Sequence, residues 1–80
     1  MSDKISIRPD QCRAARAFLG WSREELSKRS NVSNATLADF EASKRTPYER
    51  TIADIQRALE DGGVEFTNGG EPGVKLKKQP

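Results

Sequence analysis

The chain has 80 residues, enough for one small domain around a single core. Hydrophobic residues make up 34% and charged residues 32%, a globular composition near the polar end and not a disordered one. The net charge of +2 leaves the choice of partner to where the basic residues lie, while one cysteine and no histidine exclude an internal disulfide and deprive zinc of its usual ligands.

Residues 1–7 are polar, and Ile5 and Ile7 alternate with Lys4 and Ser6, the pattern of an extended arm or a segment without fixed structure. A first helix is predicted from Pro9, because a proline at the first helical position lacks an N–H that would be unpaired anyway. Cys12, Ala15, Arg16 and Leu19 fall on one face at helical spacing, and Gly20 supplies the left-handed stop. A lone cysteine in such a pattern is a small core residue before it is a nucleophile.

The second helix has a full start signature. Ser22 is its N-cap, Glu25 stands where it can close a capping box, and Trp21 and Leu26 are spaced as a hydrophobic staple. It ends near Ser30, with Asn31 suited to a left-handed turn position. The third helix repeats this logic: Ser33 caps it, Val32 can staple to Leu37, and Leu37 and Phe40 with Ala38 or Glu41 make its inner face. Two short helices joined by a tight turn over 22–41 are the sequence form of a helix-turn-helix. The commonest use of that motif sets its second helix in the major groove of DNA.

Ser43, Lys44, Arg45 and Thr46 form a polar, basic loop. A fourth helix is predicted to start near Pro47 or Tyr48, since Thr46 to Glu49 reads as a capping box; Thr51 to Asp54 is a weaker alternative. Ile52, Ile55, Ala58 and Leu59 make its core face, and Asp61-Gly62-Gly63 stops it. The period then changes. Val64 to Thr67 and Val74 to Lys77 alternate apolar and polar around turn residues, which predicts a C-terminal β-hairpin over 64–77. An isolated hairpin is barely stable, so Val64, Phe66, Val74 and Leu76 must cover the helices or meet a second subunit. The tail from Lys77 to Pro80 is expected to be loose.

Enzymatic chemistry finds no footing. Histidine is absent, no metal-ligand cluster stands out, and the glycines of the C-terminal third do not end in a phosphate-loop signature. Glu24 and Glu25 sit at a helix start, where the dipole already accounts for them. Arg23 at the same start works against that dipole, a local cost that a phosphate would offset. No apolar run approaches a signal or membrane segment, which predicts a cytoplasmic protein without membrane contact.

Several pieces together resemble the Cro and repressor type of helix-turn-helix proteins, also called the XRE family: Leu19-Gly-Trp-Ser-Arg-Glu-Glu-Leu-Ser27, Asn31-Val-Ser-Asn-Ala-Thr-Leu37, Phe40-Glu41, Pro47 and Thr51-Ile52. The similarity covers residues 9–61. It implies a mainly α, compact four-helix domain, here extended by the hairpin. It makes helix 3 the recognition helix, with Ser33, Asn34, Ala35 and Thr36 at the groove and Asp39 one turn on. Asn34 would suit adenine, Ala35 a thymine methyl and Asp39 the amino group of cytosine. Arg23, Lys44 and Arg45 would hold the phosphate backbone, Arg50 being a weaker candidate. The resemblance also implies an Arg16–Glu41 salt bridge that fixes helix 3 against helix 1.

The chain departs from the family pattern at Asn31 and Ser43, where glycine is usual, at Ser27 in place of alanine, and at Arg8 in place of a capping Ser or Thr. Ser43 puts the path of the loop carrying Lys44 in question. Helix 3 carries no Lys or Arg. The expected function is a sequence-specific DNA-binding transcriptional regulator, a repressor. It would need no cofactor and would occupy a double-stranded operator as a homodimer on half-sites about one helical turn apart. The alternatives on the same fold are the antitoxin of a toxin–antitoxin pair, with a toxin as partner, and an adaptor that has lost DNA binding.

Overall fold

Four helices precede a two-stranded antiparallel hairpin: α1 (Pro9–Leu19), α2 (Arg23–Ser30), α3 (Asn34–Glu41), α4 (Glu49–Gly62), β1 (Val64–Thr67) and β2 (Gly73–Leu76). This computed structural model describes residues 7–67 and 71–77. The expectations for residues 1–6, for the hairpin turn at 68–70 and for the tail at 78–80 lie outside them. Among the described residues no helix is long and apolar enough to cross a membrane.

One core gathers every element. Cys12 and Ala15 of α1, Leu26 of α2, Leu37 and Phe40 of α3, and Ile52, Ile55, Ala58 and Leu59 of α4 are buried together with Val64 and Phe66 of β1. Ile7 joins them at 3% exposure, so the arm expected at the N-terminus already belongs to the core at its last residue. α1 packs on α3, α4 and both strands, while α2 packs on α3 and α4. The hairpin therefore covers the helices, one of the two roles left open for it. Val64 and Phe66 are consumed in that packing, whereas Val74 is half-buried and Leu76 is 54% exposed.

The helix ends follow local chemistry with three differences from expectation. Gly20 and Asn31 take the left-handed conformation at the ends of α1 and α2, at φ 71° and 65°. Ser22 accepts the Glu25 N–H at 3.0 Å, but the Glu25 carboxylate turns outward to Arg29 Nε at 2.7 Å, so the box is only half formed. An exposed arginine one turn away competes with the Ser22 main-chain N–H for the same oxygens. α4 begins at Glu49, with Tyr48 as N-cap and no side-chain cap; neither Thr46 nor Thr51 serves. Pro47 disfavours helical geometry at Thr46 and delays the helix by a residue or two. At its far end α4 runs through Gly62 and stops at Gly63, one residue beyond the expected first glycine.

Side chains brace the turn between α2 and α3. Ser27 Oγ donates to the Val32 carbonyl at 2.6 Å, and Ser30 Oγ donates to Leu26 O at 2.7 Å while accepting the Val32 N–H at 3.2 Å. The serine that departs from the family's alanine thus holds the turn itself. Gln11 does the same for the hairpin. Its amide donates to Thr67 O and Gly73 O at 3.1 and 3.0 Å, and its oxygen accepts the Arg8 N–H at 2.8 Å.

Candidate nucleic-acid interface

α3 turns its inner face, Leu37, Phe40 and Glu41, into the core and leaves its first turn open. Asn34 and Ala35 are exposed, and the Asn34 amide has no hydrogen-bond partner among the described residues. Ser33 is exposed but engaged: its hydroxyl accepts the Thr36 N–H at 3.1 Å and donates to Thr36 Oγ1 at 2.9 Å. Thr36 and Asp39 are half-buried. Of the residues from Ser33 to Thr36, Asn34 and Ala35 are thus the exposed ones whose side chains are not engaged in the helix start.

The helix is held in place from within. Arg16 Nη2 and Nε meet Glu41 Oε1 and Oε2 at 2.7 and 2.8 Å, so the salt bridge that the resemblance implied is present and is made at two points. Glu41 is 4% exposed. Burial alone would raise its pKa, but hydrogen bonds from Arg16 and Cys12 and the charges of Arg16 and Arg23 outweigh that and hold the carboxyl below its ordinary value. The Arg16 guanidinium is raised in turn by its bond to Glu41. Burial pushes the Cys12 thiol far above its ordinary value, so it stays protonated and donates to Glu41 Oε2 at 3.1 Å. Cys12 is a core residue with one polar task.

Concavities border α3 on several sides. One, between α2 and the start of α3, is lined by Ser22, Glu24, Glu25, Ser27, Lys28 and Asn34. A second joins Thr36 to Arg45, Thr46, Pro47, Tyr48 and Thr51. There the first turn of α4 has no side-chain cap on its N–H groups and Arg45 lines the same concavity, an arrangement suited to an anion. A third is lined by Arg13, Arg16, Ser22, Arg23, Ala38, Glu41 and Ala42. Arg23 therefore flanks α3 on one side and Arg45 on another.

Lys44 is exposed but lines none of these three. Its position is set by the end of α3, where Ser43 N–H bonds to Phe40 O and Lys44 N–H to Asp39 O at 3.0 and 2.9 Å. That pairing is a Schellman motif, and Ser43 adopts the required left-handed φ of 59°. The serine keeps the conformation that a glycine would favour, at a local steric cost of about 1 kcal/mol.

Among the residues lining these concavities that the sequence did not mark as site residues, Lys28 included, three stand out by their place. Glu24 shares one with Asn34, and Tyr48, 87% exposed, shares another with Arg45. Arg13 lies beside Arg23. Glu24 and Tyr48 read as ordinary helix-start residues, and only the tertiary fold brings Arg13 of α1 to the end of α3. Residues 13–60, more than half of the chain, match the helix-turn-helix family model HTH_3. No curated protein matches the chain in sequence. With α2 and α3 forming the motif inside that matched span, the chain belongs to the XRE/Cro-type helix-turn-helix family, a family of DNA-binding regulators.

Proposed function

We propose that the chain is a sequence-specific transcriptional regulator that sets the first turn of α3 in the major groove. The observation that carries this reading is the open start of α3, where Asn34 and Ala35 are exposed, with one arginine-bearing concavity at Thr36 and another at the far end of the helix. Asn34 reads adenine through both atoms of its amide, and Ala35 meets a thymine methyl. Asp39 accepts from cytosine where the groove brings one within reach. Ser33 and Thr36 hold each other and the helix start, so their part is orientation more than readout. Arg23, Lys44 and Arg45 grip the backbone on either side and supply affinity without sequence choice.

The regulator acts as a repressor by occupying its operator as a homodimer and excluding other proteins. Its dimer contact is the part of the hairpin set that the core leaves uncovered, Leu76 and the outer side of half-buried Val74, joined by Phe18 at 51% exposure. Selection of bound duplexes from a random pool tests the central claim. The expected result is a two-fold symmetric site with half-sites about one helical turn apart. Affinity for that site should fall steeply with salt, and Lys44→Ala with Arg45→Ala should weaken binding across sequences while making the salt dependence shallower. Recovery of no sequence, with binding insensitive to salt, would sink the reading in favour of a protein-binding role on the same fold.

A further inference from the structure

We propose that Arg13 and Arg23 form a clamp for one backbone phosphate at the C-terminal end of α3. The proposal rests on the DNA-binding reading and adds a site to it. Arg13, Arg16 and Arg23 line one concavity together with a single carboxylate, Glu41. Arg16 consumes that carboxylate through two hydrogen bonds. The concavity is left with two positive charges, and neither Arg13 nor Arg23 has an ion-pair partner among the described residues. Two exposed guanidinium groups on one concave surface repel each other unless an anion lies between them. Guanidinium forks match phosphate oxygens better than any other side chain does.

The placement fits the groove. Asn34, Ala38 and Ala42 follow each other at four-residue spacing along one stripe of α3. The concavity is lined by the last two, so it lies at the far end of the stripe that begins with Asn34. Eight residues of rise span about 12 Å. The major groove is about 12 Å wide. A helix with its first turn at the bases therefore brings its other end to the groove wall, where the phosphates are.

The end of a helix is an unfavourable place for an anion, because its carbonyls carry partial negative charge. Arg13 answers this directly. Its Nη1 donates to the Glu41 carbonyl, which neutralises that end and holds the guanidinium across it. The Arg13 fork keeps further N–H donors for the phosphate. Arg13 is thus a binding residue contributed by α1, which lies outside the two motif helices.

The test uses the full chain and a duplex carrying a site that the parent selects from a random pool. Arg13→Gln and Arg13→Ala should each lower affinity about tenfold at moderate salt. Each should also reduce the slope of log K against log salt by about 0.9, the value of one phosphate contact. Arg13→Lys should keep the slope, since it keeps the charge. Melting temperatures within a few degrees of the parent would accompany this result. If Arg13 only buttresses α3, both neutral variants would bind less tightly with the parent's slope, which overturns the clamp. A parent whose binding shows no salt dependence overturns the DNA reading and the clamp with it.

Discussion

Arg16, Cys12 and Arg23 all act on the carboxylate of Glu41, and each favours its ionised form against the penalty of burial. The folded-state pKa of Glu41 lies below its ordinary value of 4.5. The group therefore contributes its full stability above that value and loses it as pH falls through the lower folded pKa. Urea unfolding from neutral pH into the acid range should show this decline. Glu41→Gln should be less stable at neutral pH and should lack that part of the acid slope. Asp10, whose carboxyl is lowered by its hydrogen bond from Arg8, titrates in both proteins and cancels in the comparison. Arg16→Met should cost about 3 kcal/mol, because it strands a buried charge. An Arg16→Met protein that melts with the parent would show that the pair adds nothing. The pair itself was legible from the family pattern of an arginine in helix 1 and an acid at the end of helix 3. Gln11 and Arg13 were not. Their partners are main-chain carbonyls at Thr67, Gly73 and Glu41, far along the chain, and a carbonyl leaves no mark in a sequence.

The four helices were readable as elements because most of their starts and stops rest on chemistry between neighbouring residues. Ser22 and Ser33 cap where their spacing places them, and Gly20 and Asn31 stop their helices in left-handed conformations. Local competition from Arg29 and Pro47 explains two of the misreadings, and a tertiary contact explains the third. Gly62 looked like a stop signal and is instead the last residue of α4, chosen for what lies above it. A Cβ there would stand 2.5 Å from Trp21 Cη2, 2.7 Å from Trp21 Cζ2 and 3.0 Å from Leu19 Cδ1. Trp21, read as a local staple, thus also packs on α4 and ties the start of α2 to the end of the domain. The Arg29 guanidinium lies over the same indole, with Cζ 4.4 Å from the ring centroid. Helix propensity alone makes alanine better than glycine by about 1 kcal/mol at such a position. The contact reverses that sign. Gly62→Ala should destabilise by about 1–3 kcal/mol, the range for overpacking. Trp21 fluorescence should shift toward that of a solvated indole before global unfolding. A Gly62→Ala protein more stable than the parent would show that propensity outweighs the indole contact.

At the scale of the molecule, the hairpin gives one strand to the core and leaves apolar surface on the other, the surface proposed above as a dimer contact. The alternation read from residues 64–77 implied one apolar face, and strand pairing sets Val64 beside Leu76 and Phe66 beside Val74 on that face. It could not say how far the helices reach beneath it. They cover β1 fully and β2 partly: Phe66 is 5% exposed, Leu76 is 54% exposed, and Phe18 of α1 stands free at 51%. An Ala14–Phe18–Pro72–Val74 concavity runs between α1 and β2. The two strands should therefore answer differently to substitution. Phe66→Ala removes a buried ring and should cost about 3–5 kcal/mol. That loss should be nearly the same at every protein concentration, because the ring belongs to the core of one subunit. Leu76→Asp puts a charge on surface that is already half solvated, so the isolated subunit should be nearly as stable as before. In a dimer the same charge would be desolvated without a partner. Leu76→Asp should therefore shift sedimentation toward the monomer and weaken binding to a two-half-site duplex far more than to a single half-site. Equal loss on both duplexes, or a parent that sediments as a monomer at micromolar concentration, would place the dimer contact elsewhere or remove it. The hairpin would then serve the core alone, with Gln11 as its fastening.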